Sequence, residues 1–486
     1  MTDNIIRKGT EHELTITALS SEGKGISRQE GGFVVFCDQA LPGDTVRAMI
    51  KKKKHNYAEA EITEIITKSD SRTEPKCRHF GICGGCKLQN YDYDKQLEYK
   101  TSAVKNAFER IGGFENLTVP AAIGCGNIFY YRNKMEFSFS DDKWVAKEDI
   151  GKERERFALG LHVPKFHSKI IDITECHLQS ELSYNIVNFS REFFKQKGAG
   201  IYSTRTHDGY LRFLLIRTGT QKNTAVKDTA GDVMVNLITY NYDEILISEY
   251  REKILELFPQ ITTLVNSFTQ KKAQVAFAEE MVILKGHGYI YEYLNSGGRE
   301  YKFKISPNSF FQTNTKQAER LYKIAAEFAE LKPADRVLDL YCGAGSISIF
   351  ISGNVERVKG VELIKEAIMS AEENAEQNGV KNTEFELSDI KDYLVRDKEG
   401  ADESSGFNKV IVDPPRSGLH PDICEILSNT RHEKIVYVSC NPGTQARDLQ
   451  IICSKGNYRL GRIQPVDMFP QTYHVENVAE LISVKC

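Results

Sequence analysis

Asp339-Leu340-Tyr341-Cys342-Gly343-Ala344-Gly345-Ser346 follows a short apolar run and opens a helical pattern. Glycines at such a strand-to-helix turn let the backbone approach a ligand closely, in the crevice where open sheets bind ligands; close helix–strand packing also asks for them. Outward from this turn the chain alternates. A helical pattern from about Lys316 to Leu331 precedes DRVLDLYC, and then come a helix, VKGVEL, a second helix, TEFELSD, NKVIVDPP and KIVYVSC. Short, largely apolar strands separated by helical segments specify a parallel sheet covered on both faces, so residues 306–486 read as a doubly wound, Rossmann-like domain.

Upstream the texture differs. ELTITAL, GGFVVFCDQAL, DTVRAMI and AEAEITEIIT alternate between turns, which predicts a small antiparallel β-barrel over residues 1–66. The polar, proline-bearing TKSDSRTEPK that follows reads as a linker. Residues 67–305 mix a helix, Gln96 to Ile111, with strands such as KMEFSFS and YLRFLLIRT, an α+β region whose helix is available to pack on the C-terminal domain. The predicted fold is therefore multidomain α/β.

A chain of 486 residues exceeds one ordinary hydrophobic core. With 41% hydrophobic and 27% charged residues and no bilayer-length apolar run, it is not expected to meet a membrane. The opening MTDNIIRKGTEHELTI has the character of neither an export nor an import signal, which makes the cytoplasm the expected location. Net charge of -3 does not itself point to nucleic acid. Local charge does so weakly, through the basic run Lys51 to Lys54 and through Lys76, Arg78, Arg132 and Lys134. Eleven cysteines, unevenly spaced, suit metal ligation or catalysis better than a disulfide scaffold. No obligate protein partner is evident.

Glu362 ends the second strand about twenty residues past the glycine loop, where an acidic side chain accepts hydrogen bonds from ribose hydroxyls. Asp389 ends the third, where a carboxylate can take an adenine amino group. The loop reads GAGSIS, neither G-x-G-x-x-G nor a phosphate loop with its lysine. A cofactor with ribose and adenine but no pyrophosphate fits, namely S-adenosylmethionine.

Asp413 ends the fourth strand in VIVDPP, its prolines stopping the ladder. Enzymes that methylate amino groups also carry a D-P-P loop, usually followed by an aromatic; here Arg416 follows, which steers away from N-methylation. Cys440 is delivered by KIVYVS to the same sheet edge, whereas Cys424 and Cys453 read as packing residues. A thiol there has a clear use. Thiolate addition at C6 of uracil makes C5 an enolate carbon able to attack a sulfonium methyl, and a base must then remove the C5 proton. Glu476, in YHVEN, is the candidate base.

DLYCGAGS, VDPPRSG, SCNPGT, DMFPQTYHVE and SFFQTN together resemble the RNA uracil-C5 methyltransferase family, and the leading barrel is similar to a TRAM domain. The resemblance spans essentially the whole chain. It implies Cys440 as nucleophile and Glu476 as proton acceptor, with Gln312, Tyr341, Glu362, Asp389 and Asp413 lining the cofactor and substrate site. Phe310 corresponds to an aromatic near the target base, and Ser346 stands where relatives often have asparagine. Tyr130-Tyr131-Arg132-Asn133-Lys134 falls at a substrate-facing motif, so Arg132, Lys134 and Arg416 are expected RNA contacts.

Cys77, Cys83 and Cys86 form a C-x5-C-x2-C cluster that needs a fourth ligand, for which Cys176 is the candidate. The resemblance implies a [4Fe-4S] cluster there, with zinc as the alternative. The C-x3-C-x2-C signature of radical enzymes is not matched. Relatives with both barrel and cluster mostly act on large-subunit ribosomal RNA, so 23S rRNA is the expected substrate and tRNA the second. A non-catalytic RNA-binding assembly factor is the contrasting reading, but such a protein needs neither Cys440 nor Glu476.

Overall fold

The structure, a computed structural model, describes residues 6–145, 155–164, 166–220, 231–398 and 406–484. Its N-terminal part is a six-stranded sheet in the order Glu11–Thr15, Thr45–Lys53, Tyr57–Thr67, Val34–Asp38, Gly25–Arg28, Ala18–Leu19. Leu14, Val35, Cys37, Val46 and Ile50 fill its core. The sheet is not wholly antiparallel as expected. Tyr57–Thr67 turns back on Thr45–Lys53 as a hairpin and then lies beside Val34–Asp38, and that pair runs parallel. The polar stretch after it is strapped down rather than free: Arg72 ion-pairs with buried Asp44 at 2.6 Å, and Asp44 also accepts the Ser69 N–H.

The central part is a seven-stranded mixed sheet running from Glu280–Lys285 at one edge to Phe166–Asp172 at the other. Helices Glu181–Gln196 and Glu244–Leu257 contribute Ile186, Phe194 and Tyr250 to a core with Phe137, Leu214 and Leu264 on the strands.

The C-terminal sheet has the order Thr383–Leu387, Arg357–Glu362, Arg336–Leu340, Lys409–Val412, Lys434–Ser439, Glu476–Ser483, Tyr458–Val466. The first five strands are parallel. The last two are antiparallel, which corrects the expectation of an all-parallel sheet. After helix Pro442–Cys453 the chain forms the outer strand, turns at 467–475, and inserts Glu476–Ser483 beside Lys434–Ser439.

Strand order reverses between Arg336–Leu340 and Lys409–Val412, and such a switch point opens a crevice at the carboxyl ends. Two upstream elements help build this domain. Val104 and Phe108 of helix Tyr93–Arg110 pack among Leu340, Val410 and Ala446, and each buried side chain stabilises the contact by about 2 kcal/mol. The hairpin Ile290–Ser296/Arg299–Ile305 places Leu294 and Phe303 against Leu321 and Val337.

Candidate active site

The glycine loop closes the first strand tightly. Gly345 has φ of 75°, and an added Cβ would lie 2.9 Å from the Phe385 ring and 3.0 Å from Ala371, so packing itself demands glycine there. Gly343 faces open space and donates its N–H to Glu362 Oε2 at 3.2 Å. Glu362 also accepts the N–H groups of Leu363 and Ile364 at 2.8 and 3.0 Å, which fixes its carboxylate at the mouth of the crevice. Leu363, Ile364 and Leu387 are exposed apolar neighbours, a surface suited to an adenine ring. Asp389 lies two residues beyond its strand, and its Oδ1 caps the next helix by accepting from Lys391 and Asp392. Tyr341 is half-buried beside the loop, its phenol pushed up to about 12 by burial. These residues fit S-adenosylmethionine.

Ser346 shares a hydrogen bond with Tyr322 at 3.1 Å. Gln312 lies on a segment sewn to the stretch Tyr130–Lys134: Asn133 donates its side chain to the Gln312 carbonyl at 2.9 Å and its N–H to the Thr313 carbonyl at 2.8 Å. Phe310, two residues earlier, is 72% exposed.

Cys440 follows the strand Lys434–Ser439, and Asn441 then caps helix Pro442–Cys453 by accepting from Gly443 at 3.0 Å. Asn441 and Thr444 both donate to the Arg416 carbonyl, tying the cysteine loop to the D-P-P loop. Glu476 begins the neighbouring antiparallel strand. Since Ser439 pairs with Asn477, continuing the register sets Cys440 opposite Glu476. Asn477 donates to Gln445 at 2.7 Å and locks that register from the helix side.

Four charged or ionisable groups share this edge. Burial pushes the Glu476 carboxyl up to about 8, with Asp413 raising it further and Arg416 opposing. Burial likewise pushes the Asp413 carboxyl up to about 7, with Asp339 adding to it. The Cys440 thiol is pushed up to about 11, chiefly by burial and then by Glu476, while the Arg416 side chain favours its thiolate. Asp339 lies beneath, accepting from Ser348 at 2.6 Å, with its other oxygen buried and unpartnered.

The loop that delivers Glu476 is held from outside its own domain. Lys100 meets Asp467 at 2.5 Å with both side chains fully buried, and Tyr93 donates to the same carboxylate at 2.8 Å. Gln96 and Gln471 exchange two hydrogen bonds, Tyr131 donates to the Pro470 carbonyl, and Lys87 and Leu88 donate to the Gln471 carbonyl. His474 sits in this loop, its imidazole pushed down to about 4 by burial and by Arg416, Lys100 and Arg132. Sequence reasoning assigned no role to Lys100, Asp467 or His474: Lys100 lay in no motif, and Asp467 and His474 lay in DMFPQTYHVE only as neighbours of Glu476. The Arg132 guanidinium is 6.0 Å from the Phe469 ring, and its buried Nε has no partner. Lys134 pairs with Glu136 at 2.5 Å at the start of its strand.

Cys77, Cys83, Cys86 and Cys176 line one small cavity with Leu161, Ile173 and Leu178. The Cys83 and Cys86 thiols are pushed up to about 12, first by burial and then by the neighbouring cysteines. Among the described residues, no group of three or more His, Cys, Asp or Glu is arranged to hold a single metal ion. Four thiols around an apolar cavity nonetheless form a donor set suited to a soft, thiolate-bound group.

Among the described residues, no helix is long and apolar enough to cross a membrane. The switch-point crevice with its glycine loop and Glu362, together with an N-terminal TRAM domain, marks an S-adenosylmethionine-dependent RNA methyltransferase. Residues 229–483 match the tRNA (uracil-5-)-methyltransferase family and residues 7–63 match the TRAM domain. The chain belongs to that uracil-5-methyltransferase family. It is 38% identical over 479 residues to an uncharacterised RNA methyltransferase of Chlorobaculum tepidum, covering 97% of this chain and 96% of the relative. Identity to another from Bacteroides thetaiotaomicron is 37% over 466 residues, covering 95% and 99%. Among solved structures it is similar to the Pyrococcus abyssi tRNA (uracil-54, C5)-methyltransferase in complex with S-adenosyl-L-homocysteine, with a TM-score of 0.70 and 28% identity over 97% of this chain and 100% of that one.

Proposed function

We propose that this chain, acting in the cytoplasm, transfers a methyl group to C5 of a uridine in 23S rRNA through a covalent bond between Cys440 and C6 of the base. The carrying observation is the register that sets Cys440 opposite Glu476 at the sheet edge bearing Asp413 and the glycine loop. Gln312, Tyr341, Glu362, Asp389 and Asp413 hold S-adenosylmethionine, which supplies the methyl electrophile and a positive charge that favours the thiolate. Phe310, Arg132, Lys134 and Arg416 face the RNA. The barrel (1–66) binds RNA, residues 67–305 carry the cysteine site and residues 306–486 the chemistry.

Cys440 Sγ adds to C6, and the electron pair of the C5–C6 double bond moves into the ring as an enolate. C5 then takes the methyl group, and S-adenosylhomocysteine leaves. Glu476 removes the C5 proton, the double bond re-forms, and the Cys440 thiolate is expelled. The Glu476 proton passes to water. A uridine must leave its stack to reach this edge, which favours a loop or single-stranded target.

Cys77, Cys83, Cys86 and Cys176 hold a [4Fe-4S] cluster, with zinc as the alternative; their convergence on one cavity supports this reading. Transfer RNA is the second substrate reading, favoured by the similarity to the Pyrococcus enzyme.

RNA carrying 5-fluorouridine tests the chemistry, because fluorine at C5 cannot be removed as a proton. A denaturant-stable protein–RNA adduct whose RNA-bearing peptide contains Cys440 is expected, with none from Cys440→Ala; failure of the wild type to trap rejects the mechanism. Mass mapping of 5-methyluridine in 23S rRNA and tRNA from cells with and without the protein separates the two substrates.

A further inference from the structure

Beside the catalytic crevice lies a second cavity of about 360 Å³, within the range that takes a small ligand. It opens between Cys125–Asn133, Thr218–Thr220 and Asn314–Arg320, and does not include the glycine loop, Glu362 or Asp413. Among the described residues its lining contains three cations, Arg132, Lys316 and Arg320, and no carboxylate. Among the residues around it, Tyr130 is 41% exposed, with Lys76 stacked 4.6 Å from its ring centroid.

The cavity is built rather than incidental. Glu292, 2% exposed, ties its three walls together by accepting from the Thr220 N–H at 2.8 Å, from Thr315 Oγ1 at 2.8 Å and from Asn133 Nδ2 at 3.5 Å. Among the described residues of the wall, Arg132 Nε is a buried side-chain donor without a partner, an N–H that an acceptor oxygen would satisfy. Arg132 is also the partition between this cavity and the loop leading to Glu476, through Phe469. Asn133 joins the cavity to Gln312.

A basic, aromatic-edged pocket joined through Arg132 and Phe469 to the loop leading to Glu476 suits a nucleotide. Turning the target uridine out of its stack costs unstacking free energy and leaves its neighbours without a stacking partner. A pocket that accepts one of those neighbours offsets the loss. We propose that this cavity receives an unstacked ribonucleotide adjacent to the methylated uridine, its phosphate on Lys316 and Arg320 and its base against Tyr130 and Arg132. The proposal rests on the RNA-methylation reading above.

Two variants test it, Lys316→Glu/Arg320→Glu, which reverses the charge, and Gly126→Trp, which fills the space. An added Cβ at Gly126 meets nothing within 4 Å, so the backbone there accepts a side chain. Dissociation constants are measured for a fluorescent oligouridine over a salt series and for S-adenosylmethionine by calorimetry. Both variants are expected to weaken RNA binding on the order of tenfold while leaving cofactor affinity unchanged; for the charge variant the dependence of log K on log salt becomes shallower by about 0.7, the value for one lost single-strand phosphate. Unchanged RNA affinity in both, or a loss of cofactor affinity in place of RNA affinity, overturns the proposal. Binding is read without turnover. A wild type that traps no 5-fluorouridine adduct while the variants still lose RNA affinity rejects the methylation reading and keeps the nucleotide pocket.

Discussion

Glu476 is a buried carboxyl that the proposed mechanism uses as a base, and its environment sets the pH at which it could do so. Burial and Asp413 hold its proton until about pH 8, well above the ordinary carboxyl range. In the proposed mechanism the ionised form accepts the C5 proton, so the methylation rate is expected to rise with pH from neutrality through about 8. A pH–rate profile checks this, and a flat one would assign the base elsewhere. Glu476→Gln removes the acceptor without removing the nucleophile. It is expected to slow turnover by about 10²- to 10⁴-fold and to accumulate a methylated Cys440–RNA adduct with ordinary uridine RNA, visible on a denaturing gel. The same residue shows what sequence can carry. The placement of Cys440, Asp413 and Glu362 along one sheet edge was legible because each sits at the carboxyl end of an apolar run, and that edge is where parallel sheets bind ligands. The mutual influence of Glu476, Asp413, Asp339 and Arg416 was not, because burial is set by residues far apart in the chain.

Among elements, the loop 467–475 decides whether Glu476 arrives in register. Its anchor is Asp467 with Lys100, a fully buried pair spanning 367 residues of sequence. Helix Tyr93–Arg110 looked like an ordinary amphipathic helix, and a lysine on it reads as a solvated charge; Lys100 is instead 0% exposed. Removing one partner leaves the other charge buried and unpaired. Lys100→Met is therefore expected to lower unfolding free energy by about 3–5 kcal/mol, with Lys100→Met/Asp467→Leu recovering much of it. Thermal denaturation checks the pair, and a single variant as stable as the wild type would show that water reaches Asp467. The antiparallel strand Glu476–Ser483 was hidden for a related reason. Its first six residues are all buried, so ENVAELIS lacks the alternation that marks a half-exposed strand. The parallel pairing within the N-terminal sheet was equally invisible, since local alternation does not encode which neighbour a strand chooses.

Across the whole molecule, the cysteine site joins the N-terminal elements to the catalytic face. Directly after Cys86, the N–H groups of Lys87 and Leu88 donate to the Gln471 carbonyl at 2.9 and 3.0 Å. Directly after Cys176, the carbonyls of His177 and Leu178 accept from Tyr130 and Arg132 at 2.7 and 2.8 Å. Any group that binds the four thiols thus fixes, through two short peptide connections, both the loop before Glu476 and the segment Tyr130–Lys134 that is proposed to face RNA. The barrel joins the same frame, with Tyr99 donating to the Ser20 carbonyl and Asn90 to that of Gln39. Protein purified without oxygen is expected to be brown and to contain iron and sulfide in equal amounts, and Cys176→Ser to lose both. Loss of the group should speed hydrogen exchange at Lys87, Leu88, Tyr130 and Arg132 and raise the KM for RNA, because those amides hold the RNA-facing wall. Affinity for S-adenosylmethionine should hold, since the glycine loop and Glu362 depend on none of these bonds. Unaltered exchange after metal removal would confine the cysteine site to its own corner of the central domain, and colourless, zinc-loaded protein would replace the iron–sulfur assignment while leaving the mechanical link in place.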